Sequence, residues 1–230
     1  MKLFSETLNT STIKPTRVLD IPNTGNNYIP IDLSETNEKL KDVDVSSSES
    51  FNQYIESYLR EHNADVAYGG YLENRNIYKR SQHFNQQDLD TERNIHLGTD
   101  LWCPSGTKVL ACLDGEIHSF KNNKNHGDYG PTIILKHEVE NGEFYTLYGH
   151  LSLESIASVT VGEKVKQGQS IGTLGVAQVN GDYPPHLHFQ IIKDLQGLQG
   201  DYPGVCNIKD IDFYKTNCPD PNVLLKAILQ

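Results

Sequence analysis

Histidine residues occur with acidic or aromatic neighbours in three short stretches of this 230-residue chain. Imidazole nitrogens and carboxylate oxygens are both good zinc ligands, and two histidines with one aspartate leave an open position on the metal for a catalytic water. A lone His-x-His pair is usually structural, but three such stretches together favour a metal site, with zinc as the first choice. The stretches are Ile95–Asp100, Leu147–Leu151 and Pro185–Phe189.

The third stretch has the alternation of a β-strand, in which successive side chains point to opposite faces of the sheet. His186 and His188 are therefore expected on one face, and Leu187 and Phe189 are expected to face the core. Two imidazoles would then share one surface, as a metal site requires.

The first stretch can place two further ligands side by side. If the chain is extended from His96 to Asp100, both residues lie on one face with Gly98 between them. The glycine would leave room for an ion to approach the backbone between the two ligands.

The remaining histidines have no partner at ligand spacing and are interpreted as ordinary core or surface residues. His137 and Glu138 begin an His-Glu-x-x string, but Asn141 stands where a helical zincin motif has its second histidine. The histidines in this group are His62, His83, His118, His126 and His137.

The order and spacing of the three motifs resemble the lysostaphin-type (LytM-like) zinc endopeptidases, which are peptidoglycan hydrolases with a duplicated hybrid motif fold. The matching elements are the His-x-x-x-Asp of residues 96–100, the Tyr-Gly-His-Leu of 148–151 and the His-x-His of 186–188. Val161–Gly172 also resembles the family's hairpin, which lipoyl and biotinyl carrier domains share. The resemblance covers about Ile95 to Ile192.

This resemblance implies a role for each of five residues. His96, Asp100 and His188 would be the ligands of one zinc ion, and His150 and His186 would be catalytic histidines beside the metal. All five positions are filled, which favours a working zinc metalloendopeptidase that uses a metal-activated water. Which histidine acts as base and which as acid stays open.

A narrower resemblance is to the peptidase-like segment of large fusion proteins, where it lies between a phosphotransferase-like kinase domain and a class III aminotransferase domain. Neither neighbour is present in this chain. The stretches that carry this resemblance are Asp128–Leu135, Gly200–Val205 and Cys218–Asn222.

Several functions fit these motifs. The first is hydrolysis of a peptide or amide bond in peptidoglycan-derived or other small peptides. The alternatives are a cytoplasmic zinc amidohydrolase linked to amine metabolism, and a zinc-dependent module that binds a peptide without cutting it. A lipoyl or biotinyl carrier has little support, because the metal motifs would then have no purpose.

Short β-like runs separated by Gly, Asn, Asp and Pro must position these residues. With little helical periodicity between them, they predict a mainly β fold, an antiparallel β-sandwich of the duplicated hybrid motif type. The predicted strands are Lys108–Leu113, Glu116–Phe120, Thr132–His137, Phe144–Tyr148, Lys164–Val165, Ser170–Leu174 and Leu187–Ile192.

An N-terminal arm at 1–66 is expected before a metallopeptidase-like β domain at 67–216 and a C-terminal tail helix at 217–230. The arm contains one amphipathic helix, whose apolar stripe is expected to pack on the main domain, with Ser46 and Glu49 as its capping box. Asp220 and Pro221 would begin the tail helix. The apolar residues of the two helices are Phe51, Tyr54, Ile55, Tyr58 and Leu59, and Val223, Leu224, Ala227 and Ile228.

Charge and hydropathy exclude other classes of partner. The 20 basic and 30 acidic residues give a net charge of −10, which disfavours nucleic acid and anionic lipid. No apolar run reaches the ~18 residues of a membrane span. Residues 1–9 lack the apolar segment of an export signal, so a cytoplasmic chain is expected, with export by another route left open.

Four cysteines without a Cys-x-x-Cys pair favour reduced thiols over a disulfide framework or a cysteine-ligated zinc. They are Cys103, Cys112, Cys206 and Cys218.

Two other residues, Arg75 and Tyr78, precede the first proposed ligand. For both, a surface ion pair is favoured over substrate contact. Tyr183, before two prolines, is expected in a stiff loop at the cleft rim.

Overall fold

The structure is a computed structural model that describes residues 17–21, 28–81, 84, 91–139 and 142–225. The strands are β1 Tyr28–Pro30, β2 Val66–Gly69, β3 Ile95–His96, β4 Thr99–Trp102, β5 Lys108–Leu110, β6 Gly115–Asn123, β7 Gly130–Val139, β8 Gly142–Gly149, β9 Lys164–Val165, β10 Ser170–Thr173, β11 His186–Ile192 and β12 Val205–Cys206. The α-helices are α1 Ser48–Glu61, α2 Leu153–Ala157, α3 Ile211–Asn217 and α4 Asn222–Leu225, and 3₁₀ helices span Glu38–Leu40 and Asn76–Arg80.

Eight strands form one sheet in the order β1-β2-β4-β11-β8-β7-β6-β9, and two small sheets pair β10 with β5 and β12 with β3. The predicted mainly β fold is confirmed. All pairs are antiparallel except β1 with β2, so the sheet is mixed rather than wholly antiparallel. The parallel pair is possible because the 35 residues between these strands, which include α1, supply the long crossover that parallel strands need.

The strands bury apolar residues on both faces of the large sheet. On one face, Leu187 and Phe189 of β11 join the main core, as predicted, together with Val109 of β5 and Ile171 of β10. The small β10–β5 sheet thus packs over the large one as a second layer. The opposite face carries His186 and the other polar side chains of β11, where the candidate site lies.

Helix α1 covers this second face near the β2–β4 edge of the sheet. The prediction that its apolar stripe packs on the main domain is confirmed, since Phe51 and Ile55 are buried against a cluster that includes Trp102 and Ala67. The predicted capping box at Ser46 is wrong by one residue. Ser47 is the N-cap, and its hydroxyl accepts a hydrogen bond from Ser50 N at 3.3 Å.

Near the C-terminus the chain forms two short helices. The predicted tail helix is present as α4, while Ala227 and Ile228 lie outside the described residues. Helix α3 was not predicted, because its seven residues are too few to show a helical period. Among the described residues, no helix has the length and apolar character that a membrane span requires. All four cysteines are free and buried, as expected of reduced thiols.

Candidate metal centre

Three of the predicted residues bring one donor atom each to a common point. His96 Nε2 lies 2.9 Å from His188 Nδ1, and each of these atoms lies 3.2 Å from Asp100 Oδ1. Within the part of the chain that the structure describes, this is the group of histidine, cysteine and acidic residues able to hold a metal ion. The sequence motifs therefore identified residues that the fold places together.

Strand pairing accounts for the meeting of these side chains. In the β11–β4 ladder His188 stands opposite Asp100, so their side chains leave the sheet on the same face. His96 arrives from β3, which is separated from β4 by Leu97 and Gly98.

Gly98 has a different role from the one predicted. A Cβ built at this position would lie 2.6 Å from His188 Cε1 and Nε2, so the missing side chain makes room for an imidazole ring. The expectation that the glycine lets an ion approach the backbone is thus corrected. The break in the strand at this point also corrects the expectation of a continuous extended run from His96 to Asp100.

Hydrogen bonds on the far side fix which ring nitrogen of His96 and of His188 carries the proton. His96 Nδ1 donates to the carbonyl of Gly70 at 2.9 Å. His188 Nε2 donates to Gln190 Oε1 at 2.9 Å, while the amide nitrogen of Gln190 donates to Pro203 O at 3.1 Å. The two inward nitrogens are therefore lone-pair donors, which is the state that a metal ligand requires.

Asp100 is held by a buried arginine. Arg75 Nη1 donates to Asp100 Oδ2 at 2.5 Å, and Arg75 Nε donates to Glu73 Oε2 at 2.5 Å. Only 4% of Arg75 is exposed, so the surface ion pair predicted for this residue is wrong. Because Arg75 takes one carboxylate oxygen, the other oxygen faces the histidines.

Gly70 makes this arrangement possible. Its φ of +102° favours glycine, and a Cβ there would lie 1.9 Å from Arg75 Nη2 and 2.9 Å from His96 Nδ1. Tyr78, for which surface exposure was also expected, is buried and stacks against His96 with 6.5 Å between ring centroids.

The two remaining predicted residues lie beside this group. The His150 and His186 rings are in contact in a tilted arrangement, with 4.2 Å between centroids, and His186 Nε2 is 3.8 Å from Asp100 Oδ1. His186 Nδ1 donates to Pro184 O at 2.7 Å, and His150 Nδ1 donates to Asn180 O at 2.7 Å. Both Nε2 atoms are therefore left able to accept a proton.

Burial keeps these histidines neutral at physiological pH. It lowers the pKa of His96 to about 4 and that of His186 to about 4, although Asp100 opposes the shift in both cases. The pKa of His150 is held well below its usual range by burial and by His186. Burial alone would raise the pKa of Asp100, but His96 and Arg75 outweigh it and hold that pKa well below its usual range.

The five predicted residues line one cavity of about 320 Å³, and each of them is at most 5% exposed. Tyr183 lies at this cavity, as predicted, where its hydroxyl donates to Gly127 O at 2.9 Å. His137, by contrast, is buried elsewhere, with Nδ1 donating to Asp114 O and Nε2 bonded to Thr146 Oγ1.

Zinc fits the donor set. Ligand atoms about 2.1 Å from a tetrahedral zinc are about 3.4 Å apart. The three separations here are slightly shorter, at 2.9, 3.2 and 3.2 Å. Two imidazoles and one carboxylate are also the ligand types that zinc favours.

Two histidines and one carboxylate are a ligand set found at catalytic zinc sites. Residues 94–200 match the model of Peptidase family M23. The chain therefore contains a segment similar to Peptidase family M23, the LytM-like, zinc-dependent family to which the sequence motifs pointed.

Curated relatives resemble the same half of the chain. Peptidoglycan DD-endopeptidase ShyC of Vibrio cholerae is 34% identical over 116 residues, covering 49% of this chain and 24% of that protein. Peptidoglycan DD-endopeptidase ShyA of the same organism is 36% identical over 98 residues, covering 42% of this chain and 20% of that protein. The chain thus spans about a quarter or less of their length.

Among solved structures, the catalytic domain of the antimicrobial peptidase lysostaphin from Staphylococcus simulans is 26% identical, with a TM-score of 0.39. The alignment covers 69% of this chain and 96% of that one.

Proposed function

We propose that the protein is a zinc-dependent peptidase that hydrolyses a peptide or amide bond, with His96, Asp100 and His188 as the ligands of one zinc ion. Peptidoglycan-derived and other small peptides are the proposed substrates. The names of the relatives ShyC and ShyA support a peptide substrate, since both are peptidoglycan DD-endopeptidases.

One observation carries the metal proposal. His96 Nε2 and His188 Nδ1 face each other at 2.9 Å, although the proton of each ring is committed to an acceptor on its far side. Two lone pairs at this distance repel each other, and a third electron-rich atom, Asp100 Oδ1, lies beside them. A cation at their common point would convert this repulsion into coordination.

Bound zinc would lower the pKa of a water and polarise the scissile carbonyl. His150 and His186 would then move protons. Both rings are neutral, and because Nδ1 of each ring donates to a backbone carbonyl, Nε2 of each ring keeps a lone pair that can accept a proton. One would accept the proton of the water, and the other would hydrogen-bond the oxyanion or protonate the leaving amine.

The first test separates metal binding from chemistry. His188→Ala should lose zinc, as measured by elemental analysis of the purified protein. His150→Asn should keep zinc but lose about 10²- to 10⁴-fold in turnover of muropeptides or of a dipeptide panel, measured by mass spectrometry. Asparagine is chosen because residue 150 has a φ of +63°, a conformation that asparagine tolerates better than alanine.

A zinc-loaded protein that turns over neither panel would contradict the peptidase proposal and support a peptide-binding module. Turnover of simple amides without cleavage of dipeptides or muropeptides would instead support the amidohydrolase alternative. The cytoplasmic location stays a prediction, which fractionation of the source cells would test.

A further inference from the structure

The cavity at the candidate metal centre has one wall that the matched family segment does not contain. This wall, residues 33–51, is called the N-terminal wall below, and it lines the same cavity as His186 and Trp102. Its residues at the cavity are half apolar and half polar: Leu33, Leu40, Val45 and Phe51, and Ser34, Glu35, Asn37 and Lys41.

The N-terminal wall is fixed to the sheet at both of its ends. Leu33 N donates to Glu73 Oε1 at 3.0 Å, and Glu35 exchanges two hydrogen bonds with Asn74, at 2.9 and 2.8 Å. At the other end Phe51 packs edge-on against Trp102, with 5.3 Å between ring centroids. These contacts hold the N-terminal wall against the domain at both ends, so it narrows the site.

Enclosure limits what can reach the zinc ligands. The cavity volume of about 320 Å³ is at the lower end of the range for small-ligand pockets, ~300 to 1,000 Å³. A long peptide strand would need an open groove on both sides of the scissile bond. Here all five proposed metal-binding and catalytic side chains are buried, so a short substrate with at least one free end fits better.

Trp102 supplies a group that points to a ligand. It is 1% exposed and lines the cavity, and its indole Nε1–H is buried with no acceptor among the residues that the structure describes. The indole ring cannot easily turn toward an acceptor, because it stacks on His186 with 3.9 Å between ring centroids and Phe51 of helix α1 packs edge-on against it. An unpaired buried donor is costly, and a substrate carbonyl would satisfy it.

We infer that this pocket selects short peptides, of about two to three residues, and that Trp102 Nε1 donates a hydrogen bond to a substrate carbonyl. The inference rests on the proposed peptidase function and narrows its substrate class. It separates this protein from an enzyme that cuts cross-links within an intact wall polymer.

A length series tests the size selection. Alanine peptides of two to eight residues, in L and D forms, and insoluble cross-linked peptidoglycan are incubated with the zinc-loaded protein. The expected kcat/KM for di- and tripeptides is at least ten-fold above that for the octapeptide, with no release from peptidoglycan. Equal rates for all lengths, or release from peptidoglycan, would overturn the size selection and leave the peptidase proposal standing.

Binding is measured separately on zinc-loaded His150→Asn, using the fluorescence of Trp102, the one tryptophan of the chain. Short peptides that quench the fluorescence at concentrations at least ten-fold below those needed for the octapeptide support the inference, even if the wild-type protein does not cut them. In that case the peptidase proposal fails while the size selection stands. Absence of binding by all peptides would overturn the inference.

The role of Trp102 is tested by Trp102→Phe, which keeps an aromatic ring beside His186 and removes the N–H. The expected result is a rise of about five- to ten-fold in KM for the dipeptide with kcat little changed, as for loss of one hydrogen bond. Tyr28→Phe is the matched control, because the Tyr28 hydroxyl is also buried without a partner in the described part of the chain but does not line the cavity. It should leave KM unchanged, and an unchanged KM in Trp102→Phe would overturn the proposed contact.

Discussion

Each imidazole of the candidate metal centre is oriented by an acceptor on its outer side, and for His188 the Tyr129 hydroxyl also lies 3.4 Å from the same nitrogen. For His96 and His150 the acceptor is a backbone carbonyl, which substitution cannot easily remove. For His188 it is the side chain of Gln190, which lies two residues along the same strand and on the same face. A substitution of Gln190 can therefore change the tautomer of His188, a proposed ligand, without a change in His188 itself.

Gln190→Met should weaken zinc binding by about 10- to 100-fold, the usual effect of removing the partner of a metal-ligating histidine. Without the Oε1 acceptor, His188 can place its proton on Nδ1, the nitrogen that faces the metal. Competition with a chromophoric chelator measures the affinity. Gln190→Glu, which keeps an acceptor at the same place, should bind zinc nearly as tightly as the wild type, and equal affinity in Gln190→Met would contradict this account.

Acid should destabilise the metal-free protein before it protonates the folded site. His96 and His186 each have a folded pKa of about 4, against an ordinary value of 6.5. Between pH 6.5 and about 4 the unfolded chain therefore binds protons that the folded chain does not. The free energy of unfolding should be constant above pH 6.5 and fall below it, by on the order of 3 kcal/mol per histidine at pH 4.

Urea unfolding of chelator-treated protein at several pH values measures this loss. His186→Asn removes one of the two groups and should show a shallower dependence on pH. A wild-type stability that does not change between pH 6.5 and 4.5 would contradict the proposed neutral burial of these rings.

The sequence predicted the clustered histidines well but missed their supporting residues. His96, Asp100 and His188 stand in motifs whose spacing is visible along the chain. Gln190 could have been found, because it continues the period-two pattern of His186 and His188 on β11. Arg75 could not, since its contact with Asp100 crosses 25 residues and depends on the backbone conformation of Gly70.

At the scale of elements, β11 connects the parts of the site. It pairs with β4 on one edge and β8 on the other, so one strand aligns His188 with Asp100 and with Gly149. Gly149 leaves space for Tyr129, because a Cβ there would lie 2.7 Å from the Tyr129 ring. The alternating pattern of β11 and its neighbours made these strands predictable.

Elements whose stability depends on distant contacts were harder to predict. Strand β1 has three residues and is paired in parallel with β2 across a 35-residue connection, so no local pattern marks it. The amphipathic period of α1 was visible, but its place over Trp102 depends on tertiary packing.

Phe51→Ala should destabilise the protein by about 3 to 5 kcal/mol, because it removes a buried ring that packs on Trp102. The same change enlarges the cavity, so an increased relative rate on longer peptides should accompany the loss of stability. Denaturant unfolding and the peptide length series measure the two effects. Gln53→Ala, on the exposed side of the same helix, is the control. It should change the free energy of unfolding by no more than about 0.5 kcal/mol and should leave the relative rate on longer peptides unchanged.

At the scale of the whole molecule, the N-terminal third and the family-matched segment form one sheet and one site. Glu73 links them directly, since Oε1 accepts from Leu33 N in the N-terminal wall while Oε2 accepts from Arg75, the partner of Asp100. The arm and β domain predicted from composition are thus joined at the site itself.

The match to Peptidase family M23 begins at Asn94, so a fragment that starts at this boundary would lose residues that support the site. A fragment of residues 94–200 would keep both proposed catalytic histidines and all three ligands, yet it would lack Gly70 and Arg75, which hold His96 and Asp100. We expect such a fragment to bind zinc at least ten-fold more weakly than the full chain, measured by the same chelator competition. Equal affinity would show that the scaffold before Asn94 is dispensable. The smallest fragment that keeps the full zinc affinity should therefore begin no later than Tyr28, well before the histidine motifs.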